Sequence, residues 1–525
     1  MRRSIAALLV VPFLSCSVLA QSTAGEARAA RALEAARSSP LQLHALLADM
    51  PKGADLHMHL SGAVYAESFL DQGAADHLCV DVTAAAFAEN AAGAPLHEPC
   101  AAPLRPAADV FHDQRLYDAL VDSFSMRSFV PTPGVSGHDQ FFATFGRFGG
   151  VGNGHAGEWL DEVATRAAAQ NEQYLEIMQT PGFGPAVALS KQLGWPQNPD
   201  DSPRDATPAE LAQMRSRLLA APEFQQNIAA ASRQLQQALA ARAALEHCGT
   251  AQAAPGCRIQ IRFLGQVLRA AAAPRVFAQT LLYFELAAHD SNVVGINFVQ
   301  PEDAYLAMHE YHRQMLMLDY LHGVYPGVHI SLHAGELAPG LVPPDGLSFH
   351  IREAVELGHA ERIGHGVDAM YEHDPHALLH ELAARHVMVE INLTSNDVIL
   401  GVRGKDHPLP AYRAAHVPVS LSTDDEGVSR IDMTHEYTRA AQEFHLGYVD
   451  LKNMARTGLE HSFLAGPDLW LQQDVFTRTV AACAAQPIGS AKPTAACAAF
   501  LHSSDKATQQ WELEHRFQVF EAAQH

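Results

Sequence analysis

Positive charge is the first thing this chain is short of. Its 525 residues carry 36 Lys and Arg against 58 Asp and Glu, a formal net charge of −22. That balance argues against a surface that tracks the phosphates of nucleic acid or of an anionic membrane. Long apolar runs are lacking as well: past the first twenty residues nothing supplies the roughly 18 uninterrupted apolar positions of a bilayer-spanning helix. There is no close C-x₂-C pair for a zinc ribbon, no H-E-x-x-H for a metalloprotease and no G-x-S-x-G for a serine hydrolase. His359-Ala360-Glu361 mimics the H-x-E of a cytidine-type deaminase, but the P-C-x-x-C that must accompany it is absent. No repeat of 20–50 residues and no long charged tract occurs.

What is present begins with the N-terminus. "MRRSIAALLVVPFLSCSVLAQ" has a basic start, a short apolar run and small residues before Gln21, with Val18-Leu19-Ala20 fitting the small-x-small cleavage rule. Residues 1–20 read as an export signal, placing the mature chain in the periplasm or medium. Cys16 offers a lipoprotein alternative, although Phe13-Leu14-Ser15 matches the usual box poorly. Removing the signal leaves Cys79, Cys100, Cys248, Cys257, Cys483 and Cys497, three sequence-local couples around loops rich in Ala, Gly or Pro. An even set at such spacings in an oxidising compartment suggests disulfides 79–100, 248–257 and 483–497.

With 48% apolar residues the chain can bury a large core. Residues 21–50 read as helical and end at Pro51. From there eight β-like runs alternate with helix-length segments: 54–60, 174–180, 258–265, 293–299, 328–334, 362–366, 387–393 and 417–423. That alternation predicts a parallel (β/α)₈ barrel over 51–525. A doubly wound sheet is the alternative, but no G-x-G-x-x-G follows the first strand, and glycine-rich 150–157 has no strand leading into it. Insertions are expected at about 71–110, which carries one cysteine couple, and at about 206–257, which is helical before its cysteines. A hairpin and helix are expected at about 470–525.

"DLHMHLSG" (55–62) puts His57 and His59 two apart on a predicted strand, on one face of it. In a chain with 30 histidines that alone carries little. "SLHAGE" ends the fifth strand with His333 and then Glu336. "RIGHG" ends the sixth with His365 between two glycines that allow close substrate approach. "STDD" ends the eighth with Asp424 and Asp425. Titratable groups thus gather at one end of strands one, five, six and eight, the end where barrel enzymes build their sites.

"PKGADLHMHLSG", "SLHAGE", "RIGHG", "LTSND" and "STDD", in this order and spacing, resemble the adenosine deaminase family of metal-dependent barrel hydrolases over roughly residues 51–465. The leader, the cysteine-bearing insertion and "FFATFGRF" (141–148) are similar to the secreted branch, the adenosine deaminase-related growth factors, and 504–520 resembles the closing helix. The resemblance implies one Zn²⁺ held by His57, His59, His333 and Asp424, a set whose three imidazoles and one carboxylate suit zinc with a position left for water. It implies that the activated water attacks C6 of the purine while Glu336 protonates N1, His365 orients the nucleophile and Asp425 hydrogen-bonds N7, so that adenosine and 2′-deoxyadenosine are hydrolysed to the inosines and ammonia. Three residues depart from that pattern. Ser61 stands where an Asp often touches the ribose, Gln300 where a glycine usually offers its N–H to the purine, and Glu426 where a Pro commonly follows the Asp pair. The competing readings are a related barrel amidohydrolase or deaminase acting on another aminated purine, and a growth-factor-like binding protein that kept the fold. The expected partner is a small purine nucleoside, with no nucleic acid and no membrane span; a homodimer is left open.

Overall fold

A computed structural model describes residues 24–200 and 202–524; the export signal expected at 1–20 and Cys16 lie outside the described residues. Eight parallel strands form the centre: β1 Gly53–His59, β2 Glu172–Gln179, β3 Gln260–Leu268, β4 Val293–Val299, β5 His329–Ala334, β6 Arg362–His365, β7 Met388–Ile391 and β8 Val419–Leu421. They are hydrogen-bonded in that order, with helices between them, and the apolar runs read from the sequence fall on all eight. The strands are buried on both faces, as a helix-wrapped parallel barrel requires. Among the described residues no helix is long and apolar enough to cross a membrane.

β8 and β1 close the ring without a regular ladder. A parallel bridge joins Met58 to Asp424, with the His59 N–H donating to the Asp424 carbonyl (3.1 Å) and the Asp424 N–H to the His57 carbonyl (2.9 Å). Just below, Asp55 Oδ2 accepts from the Thr423 N–H (3.1 Å) and hydroxyl (2.6 Å), while its Oδ1 accepts from the His57 N–H (3.1 Å). The seam therefore runs through the residues singled out in "DLHMHLSG" and "STDD".

The first crossover is long. After β1 come Leu60–Ala63 and Ala66–Ala75, then a three-stranded antiparallel sheet (79–81, 86–87, 105–106), so residues 71–75 continue a helix and the inserted sheet starts at Cys79. Helix Gly137–Phe148, opened by a Ser136/Asp139 capping box, carries "FFATFGRF", and Ala156–Ala169 leads into β2. Pro208–Ala220 and Pro222–Leu245 form the helical insertion before β3. Disulfides join Cys79–Cys100, Cys248–Cys257 and Cys483–Cys497, the three sequence-local pairs.

The two N-terminal helices, Ala24–Ala36 and Pro40–Asp49, are held at the bottom of the barrel. Arg28 donates to the carbonyls of Glu521 and Gln524, and Lys452 pairs with Glu26 and Glu521, which ties the first helix to the last, Asp505–Ala523. Lys52 is fully buried, and its ammonium donates to the Leu47, Met50 and Gln170 carbonyls at the ends of two helices.

Because Asp55 is the only side chain with hydrogen bonds on both sides of the closing seam among the described residues, Asp55→Ala should leave the Thr423 and His57 amides buried without a partner. At about 1–3 kcal/mol per orphaned donor, the expected loss in unfolding free energy is about 2–6 kcal/mol. Urea denaturation measures it, and amide exchange should quicken at His57 and Thr423 first.

Candidate metal centre and catalytic pocket

At the C-terminal ends of the strands the barrel gathers four donor atoms. His57 Nε2 and His59 Nε2 lie 3.1 and 3.2 Å from His333 Nε2, and 3.4 and 3.3 Å from Asp424 Oδ1. Four of the six edges of a tetrahedron are thus 3.1–3.4 Å, and a tetrahedron with vertices about 2.0–2.1 Å from its centre has edges of about 3.3 Å. His365 Nε2 stands farther off, 3.9 Å from Asp424 Oδ2 and 3.7 Å from Glu336 Oε1.

The outer nitrogen of each ring is engaged: His57 Nδ1 with Glu390 Oε2 (2.6 Å), His59 Nδ1 with Gln266 Oε1 (2.9 Å) and His333 Nδ1 with Asn297 Oδ1 (2.7 Å). These acceptors put the ring protons on Nδ1, so three Nε2 lone pairs converge with no donor between them. Asp424 Oδ1, which faces them, has no hydrogen bond. Burial alone would pull the His57 pKa down, but Asp424 and Glu390 outweigh it and lift it to about 10. The cage therefore calls for a positive charge at its centre, and its donor set suits a zinc-class ion held by His57, His59, His333 and Asp424.

The remaining site residues divide by environment. Burial, then the Asp424 and Glu302 carboxylates, push the Glu336 carboxyl well above its ordinary value. Burial, then Asp424, takes Asp425 up to about 8. Burial also works against ionisation of Asp424, yet His57 and His59 hold its carboxyl well below the usual range. Glu336 is fixed by its loop, where Glu302 accepts from the Gly335 and Glu336 N–H groups (3.0 and 2.8 Å). Arg269, 3.8 Å from Glu302, also donates to the His333 and Gln300 carbonyls.

His365 is oriented from behind. His365 Nδ1 donates to the Asn396 side-chain oxygen (2.9 Å), and the Asn396 NH₂ lies 2.9 Å from His407 Nε2. The Leu409 N–H donates to His407 Nδ1 (3.1 Å), and burial takes the His407 pKa down to about 3. His365, itself taken down to about 4 by burial, thus carries its proton on Nδ1 and turns a bare Nε2 towards Glu336.

A cavity of about 320 Å³ opens over the cage, within the range of small-molecule pockets. His59, His333, Glu336, Asp424 and Asp425 form its floor; Phe141, Phe142 and Phe145 of Gly137–Phe148 form an apolar wall.

The structure corrects two expectations, for the "RIGHG" glycines and for Ser61, and places Gly62, Gln300 and Glu426 beside them. The glycines of "RIGHG" make room for protein, not substrate: a Cβ on Gly364 would collide with the His57 ring, and one on Gly366 with the Tyr412 hydroxyl. Gly62, at the end of "DLHMHLSG", is where Asp425 comes closest, and a Cβ there would collide with its carboxylate. Ser61 lines a neighbouring cavity rather than the one over the cage. Gln300 reaches the cage cavity at φ +86°, a conformation that explains a glycine at such a position, but its side-chain oxygen is taken by the Ala270 N–H (2.9 Å). Glu426 is buried and paired with Arg166, which also donates to the Ala63 carbonyl. The supporting residues Glu176, Gln266, Arg269, Asn297, Glu302, Glu390, Asn396 and His407 were not read from the sequence. The available signal was a lone polar residue inside an apolar strand, as in "YLEIM" and "VMVEI".

The adenosine deaminase family model matches residues 222–469. An adenosine deaminase of Shewanella loihica is 39% identical over 140 residues, 26% of this chain and 39% of that protein. One of Escherichia coli strain SE11 is 38% identical over 143 residues, 27% of this chain and 40% of that protein. The chain thus spans about two fifths of the length of these relatives. Among solved structures, the adenine deaminase of Arthrobacter aurescens aligns with TM-score 0.48 and 16% identity over 79% of this chain and 94% of that one.

Glu390 is an anionic partner of both His57 and Arg362. Glu390→Gln should lower the unfolding free energy by about 3–5 kcal/mol, because it strands buried charge, and weaken metal binding about 10–100-fold. Denaturant titration and chelator competition read the two effects separately.

Proposed function

We infer, from the match of residues 222–469 to the adenosine deaminase family model, a hydrolytic purine deaminase that takes adenosine and 2′-deoxyadenosine. The observation that carries this reading is the cage of three imidazole nitrogens and one carboxylate oxygen with a proton-holding Glu336 beside it. Bound in the cage, a zinc-class ion supplies the acidity that makes a water nucleophilic near neutral pH. The chain's own groups do the rest. Glu336 delivers its proton to a ring nitrogen, which makes the adjacent carbon electrophilic. His365 Nε2 accepts a hydrogen bond from the water that adds there, and Asp425 reaches N7. The phenylalanine wall covers the base and excludes water. Ammonia leaves and the inosine is released.

We place the mature chain outside the cytoplasm on its leader at 1–20; three disulfides support an oxidising compartment. A panel of nucleosides and free bases given to the zinc-loaded chain, with ammonia release followed, tests the substrate: adenosine and 2′-deoxyadenosine should be turned over and cytidine should not.

Glu336→Gln keeps size and hydrogen bonding but cannot transfer the proton. It should retain metal and bind ground-state nucleoside, yet lose about 10²–10⁴-fold in kcat. Loss of metal with activity would make Glu336 a ligand. Asn396→Leu, which breaks the relay behind His365, should lower kcat by about 10²-fold with KM and metal content little changed.

A further inference from the structure

A second cavity of about 470 Å³ opens beside the one over the cage, and Gln266 lines both. Gln266 is also the side chain whose oxygen accepts from His59 Nδ1 (2.9 Å), so the junction between the cavities sits one residue from the metal cage. The second cavity is lined by Ser61 and by the segment leaving β2, including Thr180 and Phe183, and on its far side by Arg275 in the first turn of helix Ala273–His289.

Arg275 is the only charged residue of that lining. Among the described residues no hydrogen bond or ion pair reaches its guanidinium: its Nε is buried without a partner, and its neighbour is the Phe183 ring, 5.7 Å away. Acidic residues outnumber basic ones 58 to 36, and the other arginines near the barrel mouth, Arg166, Arg269 and Arg430, each face a carboxylate. A buried guanidinium nitrogen left unpaired costs free energy, and a cation in a cavity with no competing acid is a ready partner for an anionic ligand oxygen. Whole-chain charge repels anions at long range, so this local reversal of sign is specific to the cavity.

We propose that the Arg275 cavity is an anion subsite that receives the 5′-phosphate of a purine nucleoside monophosphate, so that the chain deaminates adenosine 5′-monophosphate (AMP) as well as adenosine. The proposal rests on the deaminase reading above. With the base against the phenylalanine wall and Glu336, the sugar leads past Gln266 towards Ser61, and the group on its 5′ carbon enters the second cavity. The chemistry is unaltered: water adds at C6, ammonia leaves, the product is the inosine monophosphate, and the phosphate ester is untouched.

The test is the ratio of kcat/KM for AMP to that for adenosine, measured on the metal-loaded chain and on its Arg275→Ala and Arg275→Lys variants. In the unmodified chain AMP should be turned over within about tenfold of adenosine, and the ratio should fall as ionic strength rises. Arg275→Ala should lower the ratio about 10–100-fold, the worth of one charge-assisted pair, and Arg275→Lys should restore part of it. A readout independent of turnover is calorimetric binding of AMP and adenosine to Glu336→Gln with and without Arg275→Ala, where the same selective loss should appear for AMP. Adenosine turnover without AMP turnover, or an unchanged ratio in Arg275→Ala, overturns the subsite and leaves the deaminase reading standing. Failure to deaminate either compound strikes the deaminase reading itself. Should Arg275→Ala not fold, the salt dependence of the ratio in the unmodified chain still decides, and a ratio indifferent to salt overturns the subsite.

Discussion

A guanidinium shielded from water ties this barrel together from the inside. Arg362 on β6 is fully buried and donates to Glu176 on β2 (2.7 Å), to Glu390 on β7 (2.6 Å) and to the His461 carbonyl (3.0 Å), with its plane 3.8 Å from the Phe463 ring centroid. Tyr174 donates to Glu176 from the same strand, as does the Phe463 N–H, and Ser331 donates to Glu390. Removing such charges from water costs several kcal/mol each, and the arrangement survives because its oxygens are so fully partnered. Two carboxylates against one guanidinium leave an excess negative charge, and the remaining oxygen of Glu390 spends it on His57 Nδ1. The interaction that spans the barrel interior thus also sets the tautomer of a candidate ligand at its mouth.

The same coupling appears in the backbone. His365, Asp424 and Gln300, at or just past the ends of β6, β8 and β4, adopt φ of +70°, +60° and +86°. Such conformations cost non-glycine residues on the order of 1–3 kcal/mol and persist only where surroundings enforce them. Around Asp424 the enforcement is the closing seam itself. Around Gln300 it is Arg269, which grips the Gln300 carbonyl while holding the His333 carbonyl and standing beside Glu302. Site geometry and ring closure are therefore one constraint.

The eight strands were legible because a strand buried on both faces is written as a short, mostly apolar run, as in "VVGINFV" or "VHISLHA". The cage residues were legible because they recur at strand ends. The supporting groups were not, because their partners are far apart in the chain: Asn396 and His407 flank a loop, Glu176 and Arg362 are 186 residues apart, and no local pattern announces such a pair. "RIGHG" misled for a related reason. A glycine shows that something comes close, not what; here it is His57 and Tyr412. Ser61 was placed by analogy of position alone, and one further residue around the short helix Leu60–Ala63 turned it into the adjoining cavity.

Three carboxyl groups share the floor of the cage cavity, and their partners alone make them chemically distinct. Asp424 meets imidazole nitrogens and stays ionised, the state a ligand needs. Glu336 meets Asp424 and Glu302, two like charges, in a buried position, and so favours keeping its proton. Asp425, adjacent in sequence to Asp424, is lifted by it. Moving carboxyl groups apart in this way is how one cavity comes to hold both a base-like ligand and a proton donor. The proposed role of Glu336 as donor rather than ligand rests on its tether. Glu302 fixes the backbone N–H of Gly335 and Glu336 on the side facing Arg269, and from there the side chain reaches towards His365 Nε2 at 3.7 Å. Asp424 Oδ1 already supplies the carboxylate corner of the cage, so the Glu336 carboxyl stands beside the donor set, the position that the proposed proton donor needs.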